Sequence, residues 1–144
     1  MASSPTAQPV PLDQLPTCRQ IRREVFIEEQ RVPEADEVDG LDEACEHFLA
    51  FLDGQPVGTA RLRITEEGHA KAERVAVLKA HRGQGVGHAL MSTLEARVRA
   101  LGHPEVVLSA QVEAIPFYRA RGYQAHGPEF MDAGIPHRKM HLHL

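Results

Sequence analysis

An arginine followed by glycines at alternate positions, Arg82-Gly83-Gln84-Gly85-Val86-Gly87, is the stretch of this chain best suited to holding an anion. Glycine lets backbone N–H groups approach a ligand with no Cβ in the way. Before it lies a β-rich apolar run, Arg74-Val75-Ala76-Val77-Leu78, and after it a helical pattern with Val86, Leu90, Leu94, Val98 and Leu101 near one face. Strand, glycine turn and helix in that order set the unpaired N–H donors and partial positive charge of a helix start beside the glycines, an arrangement that favours pyrophosphate. Two familiar phosphate signatures fail on spacing. A P-loop needs GxxxxGK followed by Ser or Thr, and the dinucleotide fingerprint needs GxGxxG.

What the spacing does match is Arg82-x-x-Gly85-x-Gly87 behind a V-A-V strand, which resembles the acetyl-CoA pyrophosphate loop of the GNAT superfamily of N-acetyltransferases. Downstream, residues 111–123 (QVEAIPFYRARGY) are similar to that superfamily's second signature, N-x-x-A-x-x-hydrophobic-Y-x-x-x-G-aromatic, with Gln111 at the usual Asn position. The segments VFIEEQRVP near residue 30 and EFMDAGIPHRKM near the end resemble the ElaA-like and YjcF-like branch of bacterial GNAT proteins.

The resemblance implies acetyl-CoA as co-substrate, no metal, and a mixed sheet splayed between two strands where the pantetheine arm lies. Backbone groups of Val75 and Val77 would bond the pantetheine, and N–H groups of Arg82, Gly83, Gln84, Gly85, Val86 and Gly87 the pyrophosphate. The amide of Gln111 would bond pantetheine or backbone. Acetyl transfer to an amine needs one group to take the ammonium proton and another to protonate the departing thiolate. Tyr118 matches the superfamily's general acid. Glu73, at the start of the pantetheine strand, is the expected base, with His47, His137 and water as alternatives. Glu28, His47, Arg61, Arg63 and His137 are the expected acceptor-site residues, and the acidic run from Glu34 to Asp42 could meet a cationic amine.

The elements that must position these residues follow from pattern. Residues 1–11 are small, polar and proline-rich and are expected to be a flexible tail, with a short edge strand near 10–12; residues 12–144 form the single domain. Asp13 can cap a first helix bearing Ile21, Val25 and Phe26. Residues 46–52 and 56–65 read as strands around an Asp53-Gly54 hairpin turn. In the second of them Ala60, Leu62 and Ile64 share one face, and Thr59, Arg61, Arg63 and Thr65 the other. Gly102 suits a helix C-cap, residues 105–110 a buried strand, and Pro116 the first turn of a helix closing at Gly122. Residues 123–130 and 138–144 are expected to close the sheet around a turn at 132–136. The fold class is thus α/β (α+β), with helices flanking a mixed sheet.

With 144 residues, one domain with a substantial core is expected. A net charge of −4 argues against general nucleic-acid binding. Two cysteines far apart, Cys18 and Cys45, indicate neither a disulfide framework nor a zinc site. No apolar run approaches membrane-spanning length, so a cytoplasmic protein is expected. The leading reading is an N-acetyltransferase acting on a small primary amine by direct attack in a ternary complex. Three others stay open: a protein or peptide N-acetyltransferase, an acyl-homoserine-lactone-synthase-like enzyme, and a non-catalytic acyl-CoA sensor. A homodimer pairing through residues 138–144 is also open.

Overall fold

The computed structural model describes residues 3–144. Its seven strands are β1 (Thr6–Val10), β2 (Glu46–Leu52), β3 (Gln55–Ile64), β4 (Ala70–Val77), β5 (Glu105–Gln111), β6 (Gln124–Asp132) and β7 (Ile135–His143). The helices are α1 (Leu15–Arg22), which runs on as a π-helical segment Arg23–Glu29, then α2 (Glu34–Glu37), α3 (Val86–Ala100) and α4 (Ile115–Ala120). All strands join one sheet in the order β1-β2-β3-β4-β5-β7-β6, and every neighbouring pair is antiparallel except β4 with β5.

The helix expected after the glycines covers one face of this sheet. Val86, Leu90, Leu94 and Val98 recur at helical spacing and bury against Phe48, Ala60, Leu62, Val106 and Leu108, while Leu101, at the end of that pattern, stays partly exposed. Gly58 makes the contact close: a Cβ there would lie 2.8 Å from Val86 Cγ1 and 3.1 Å from the Ala76 carbonyl oxygen. The opposite face receives α1 through Leu15, Cys18 and Ile21, with Val25 beyond it, packed on Leu49 and Ala76.

The β4–β5 pair organises the site. It is bonded only from Ala70–Ala72 to Val106–Leu108, so Glu73–Val77 and Ser109–Gln111 diverge with no ladder between them. On its other side β4 carries an irregularity: the register with β3 shifts between Thr59/Ala76 and Arg61/Glu73, and Arg74 adopts φ 54°. An extra residue in one strand bends it and increases its twist, which helps β4 turn away from β5.

Four expectations are corrected. The N-terminal stretch is not all tail: Thr6–Val10 pairs with β2, and Thr93 donates to the Ala7 carbonyl at 3.2 Å. Pro9 is tolerated there because an edge strand leaves half its N–H groups without a ladder partner. Asp13 makes no side-chain cap and sits in a short 3₁₀ turn ahead of α1. The closing strand β7 is not an edge, since it inserts between β5 and β6 and its hydrogen bonds are taken on both sides. Pairing through residues 138–144 is therefore blocked. The turn before β7 is also tighter than expected, with Ala133 at φ 51° and Gly134 at φ 77° linking longer strands.

Candidate active site

The divergence of β4 and β5 opens a cleft of about 640 Å³, bounded by the start of α3, α4, the π-helical segment and the β6–β7 turn. At one end lies the glycine loop. Gly83 and Gly85 have φ 77° and 85°, a left-handed conformation that L side chains rarely adopt, and Gly85 is the N-cap of α3 with no side chain satisfying the first turn. The N–H groups of Gly83, Gln84 and Gly85 have no backbone acceptor among the described residues. Free donors at a helix start form an anion cradle without any basic side chain.

The Arg82 side chain is occupied elsewhere. Its guanidinium meets the Glu29 carboxylate at 2.6 and 2.7 Å, and Nε donates to the Val77 carbonyl at 3.0 Å. It fastens the end of the π-helical segment to the loop, and since the Arg82 N–H donates to the Lys79 carbonyl at 3.4 Å, the expected role of that N–H in the cradle passes to Gly83, Gln84 and Gly85. Val75 and Val77 lie along the unpaired part of β4 and line the cleft, as do Val86 and Gly87. Gln111 lines it too, but its amide donates to Gln30 Oε1 at 2.8 Å, tying β5 to the residue after the π-helical segment.

Tyr118 sits on α4, packed edge-on to Phe117 and Tyr123 with ring centroids 5.0 and 5.5 Å away. It is 8% exposed and lines the cleft. Burial pushes its pKa above that of an ordinary phenol, and no hydrogen bond offsets this. The group is held protonated and has a proton to give.

His137 projects from β7 directly across from Gln111 and lines the same cleft. It is 9% exposed, and Nδ1 lies 2.7 Å from the Ile135 carbonyl oxygen. A carbonyl can only accept, so Nδ1 carries a proton, and in the neutral ring the lone pair is on Nε2. Nε2 has no partner among the described residues.

The remaining expected residues are placed elsewhere or otherwise engaged. Glu73 reaches the cleft wall, but its carboxylate is held by Arg61 at 3.0 Å and Arg63 at 2.8 Å, with Lys71 Nζ 3.7 Å away. Burial works to raise its pKa, and the hydrogen bond from Arg63 with the charges of Arg61, Arg63 and Lys71 outweighs it, leaving the pKa lowered. A carboxylate so stabilised does not suit the base role expected of it. Arg61 is fully buried and divides its donors among Asp39, Asp42 and Glu73, so neither it nor the paired Arg63 is available to an acceptor. His47 is buried outside the cleft, its Nε2 2.8 Å from the Asp42 carbonyl oxygen, and burial lowers its pKa. Glu28 is exposed, 3.7 Å from Arg23, and does not line the cleft. Of the acidic run, Glu37, Asp39 and Asp42 are consumed by arginines. Sequence reasoning missed Phe26, Gln30 and Asp132 as cleft residues, and of the acidic run it expected near a cationic amine, Asp36 and Glu37 line the cleft. Gln30 stood in the VFIEEQRVP segment, where one more signal was needed: the π-helical turn that rotates it inward. No group of three or more potential metal ligands occurs among the described residues.

An anion cradle, a protonated phenol and an imidazole with a free lone pair thus share one cleft, a set suited to moving an acyl group from a phosphate-bearing carrier to an amine. Comparison with known proteins points the same way. The family described as Acetyltransferase (GNAT) domain matches residues 5–144. The N-acetyltransferase YjcF of Bacillus subtilis (strain 168), itself uncharacterized, is 42% identical over 129 residues, covering 89% of this chain and 91% of that one. An acyl-CoA N-acyltransferase structure from Pseudomonas aeruginosa is 34% identical with TM-score 0.80, over 97% of this chain and 99% of that one. Escherichia coli ElaA is 29% identical with TM-score 0.80, over 96% and 98%.

Proposed function

The chain belongs to the acetyltransferase (GNAT) family, and we propose that it transfers the acetyl group of acetyl-CoA to the primary amine of a small-molecule acceptor by direct attack within a ternary complex. One observation supports this reading: the length of β4 left unpaired on its β5 side lines, with the glycine loop, the same cleft that Tyr118 and His137 line. The cradle holds the pyrophosphate, and backbone groups of Val75 and Val77 hold the pantetheine as an added strand would be held. A backbone N–H of β4 polarises the thioester carbonyl as negative charge builds on its oxygen.

The acceptor nitrogen attacks the thioester carbon and the C–S bond breaks. Tyr118 supplies the proton that the thiolate takes up. His137 Nε2 receives the proton lost by the ammonium, directly or through water, in the role the sequence had assigned to Glu73. The free, buried Cys18 and Cys45, both with pKa raised by burial, suit the expected cytoplasmic setting and take no part in transfer.

Initial rates of CoA thiol release over a panel of amines test this. Replacing Tyr118 with Phe keeps the ring packing and removes the proton, so kcat should fall by about 10² to 10⁴-fold, the range of general acid catalysis, with acetyl-CoA affinity retained. Unchanged turnover in Tyr118→Phe removes the acid from this scheme.

A further inference from the structure

The half of the cleft away from the glycine loop is bounded by the π-helical segment, α2 and the β6–β7 turn. Its cations are all engaged. Arg74 lies 2.8 Å from Glu37 and 3.2 Å from Asp39, and Lys71 is 3.7 Å from Glu73. Two of its carboxylates are engaged as well, Glu37 by Arg22 and Arg74, and Glu73 by Arg61 and Arg63. That leaves Asp36 and Asp132, both exposed, both lining the cleft, and neither with an ion-pair partner among the described residues. Phe26, Val32 and Ile135 supply apolar surface in the same wall. A second observation points to a ligand here: His137 lines this cavity and is nine-tenths buried, yet its Nε2 has no protein partner among the described residues.

Resting on the acetyl-transfer reading above, we infer that the acceptor is an aliphatic diamine or polyamine. One nitrogen, at His137 and Tyr118, takes the acetyl group; a second, protonated nitrogen is held by Asp36 and Asp132, with the methylene chain against Phe26, Val32 and Ile135. Uncompensated carboxylates attract a cation and repel an acceptor bearing its own carboxylate or phosphate, so the same pair selects and excludes. The step balances without a further reactant. The N–C bond forms as the C–S bond breaks, the ammonium proton leaves through His137 or water, and CoA departs as the thiol.

A matched series of acceptors isolates the second charge: 1,4-diaminobutane, butylamine and 4-aminobutanoate, with CoA release as the readout. The expected order of kcat/KM is diamine, then monoamine, then amino acid. The first two should differ by about tenfold, which two exposed ion pairs supply at the upper end of their usual strength. In the double variant Asp36→Asn, Asp132→Asn the diamine should fall to the level of butylamine through KM. Equal use of diamine and butylamine in the wild type, a preference for 4-aminobutanoate, or a double variant that keeps the diamine advantage each overturns the inference. So does turnover of none of the three by protein that binds acetyl-CoA in a parallel titration. If acetyl-CoA itself fails to bind in that titration, the acetyl-transfer reading falls with it, which separates the two failures.

Discussion

The two faces of the central sheet are covered by helices of one chain but held by opposite chemistry. Under α3, Phe48, Leu90, Met91, Leu94 and Val98 are fully buried and the contact is mostly apolar, with the buried Glu95 paired to Arg121 and Tyr123. Under α1 and the segment after it, an apolar patch gives way to charge. Arg22 is 1% exposed and Arg61 0%, and they share Asp42, with Glu37, Asp39, Glu73 and Arg74 extending the array. Apolar burial has no direction and stabilises in proportion to area. Ion pairs are directional, and the cost of desolvating them offsets much of their attraction. The α3 face therefore holds the fold, while the charged face fixes where residues 34–42 sit, and Asp36 and Glu37 of that stretch line the cleft. The charged face leaves Arg61 Nε and His47 Nδ1 buried without partners, and Arg121 Nε, whose guanidinium pairs with Glu95 of α3, carries the same cost on the other side.

Breaking each face should show the contrast. The largest loss is expected for Arg61→Met, which leaves Asp39, Asp42 and Glu73 crowded together without their shared cation. Removing one partner of a buried charge set costs about 3–5 kcal/mol, read as a lower urea midpoint. Leu94→Ala on the other face should cost about 2–5 kcal/mol, and this loss should be the same at pH 5 and pH 8. A smaller effect distinguishes the faces by acid. Hydrogen bonding from Arg61 lowers Asp39 to about 2 against the opposing effect of burial. For Asp42, burial works upward and the hydrogen bonds from Arg22, Arg61 and Arg19 prevail, leaving it below the usual range. Depressed carboxyl values mean that the unfolded chain binds more protons, so this stability is present above roughly pH 4, the ordinary carboxyl range, and is lost as pH falls toward 2. Acid titration of stability should be shallower in Asp42→Asn than in the wild type. Parallel acid profiles would mean that the charged face contributes nothing pH-dependent.

The same contrast explains what the sequence showed. The apolar periodicity of Val86, Leu90, Leu94 and Val98, the Asp53-Gly54 turn and the Gly102 cap are local signals, and each was legible because its neighbours in sequence are its neighbours in space. The glycine loop was legible for the same reason. Arg61, Arg63 and the acidic run were read as an acceptor site and Glu73 as the base because charge in a sequence indicates surface or function, whereas their burial depends on partners 10 to 37 residues away. The place of β7 inside the sheet is a long-range fact of the same kind, set by pairing with β5 rather than by its own pattern. Gln30 and Asp132 entered the cleft through a π-helical turn and a two-residue hairpin, irregularities that no amphipathic pattern marks.

The central claim is that the glycine loop and the divergent strands are an acetyl-CoA site, and a thermal-shift titration tests it most directly. Acetyl-CoA, CoA, ATP and NAD would be compared on the wild type and on Gly85→Val, which places a β-branched side chain at φ 85° in the cradle. At about 100 times its dissociation constant a ligand stabilises the native state by about 2.7 kcal/mol, a shift of several degrees for a domain of this size. Acetyl-CoA and CoA should produce that shift in the wild type and lose it in Gly85→Val, while ATP and NAD leave both proteins unmoved. Equal shifts with ATP or NAD, or no shift with acetyl-CoA in the wild type, would contradict the account.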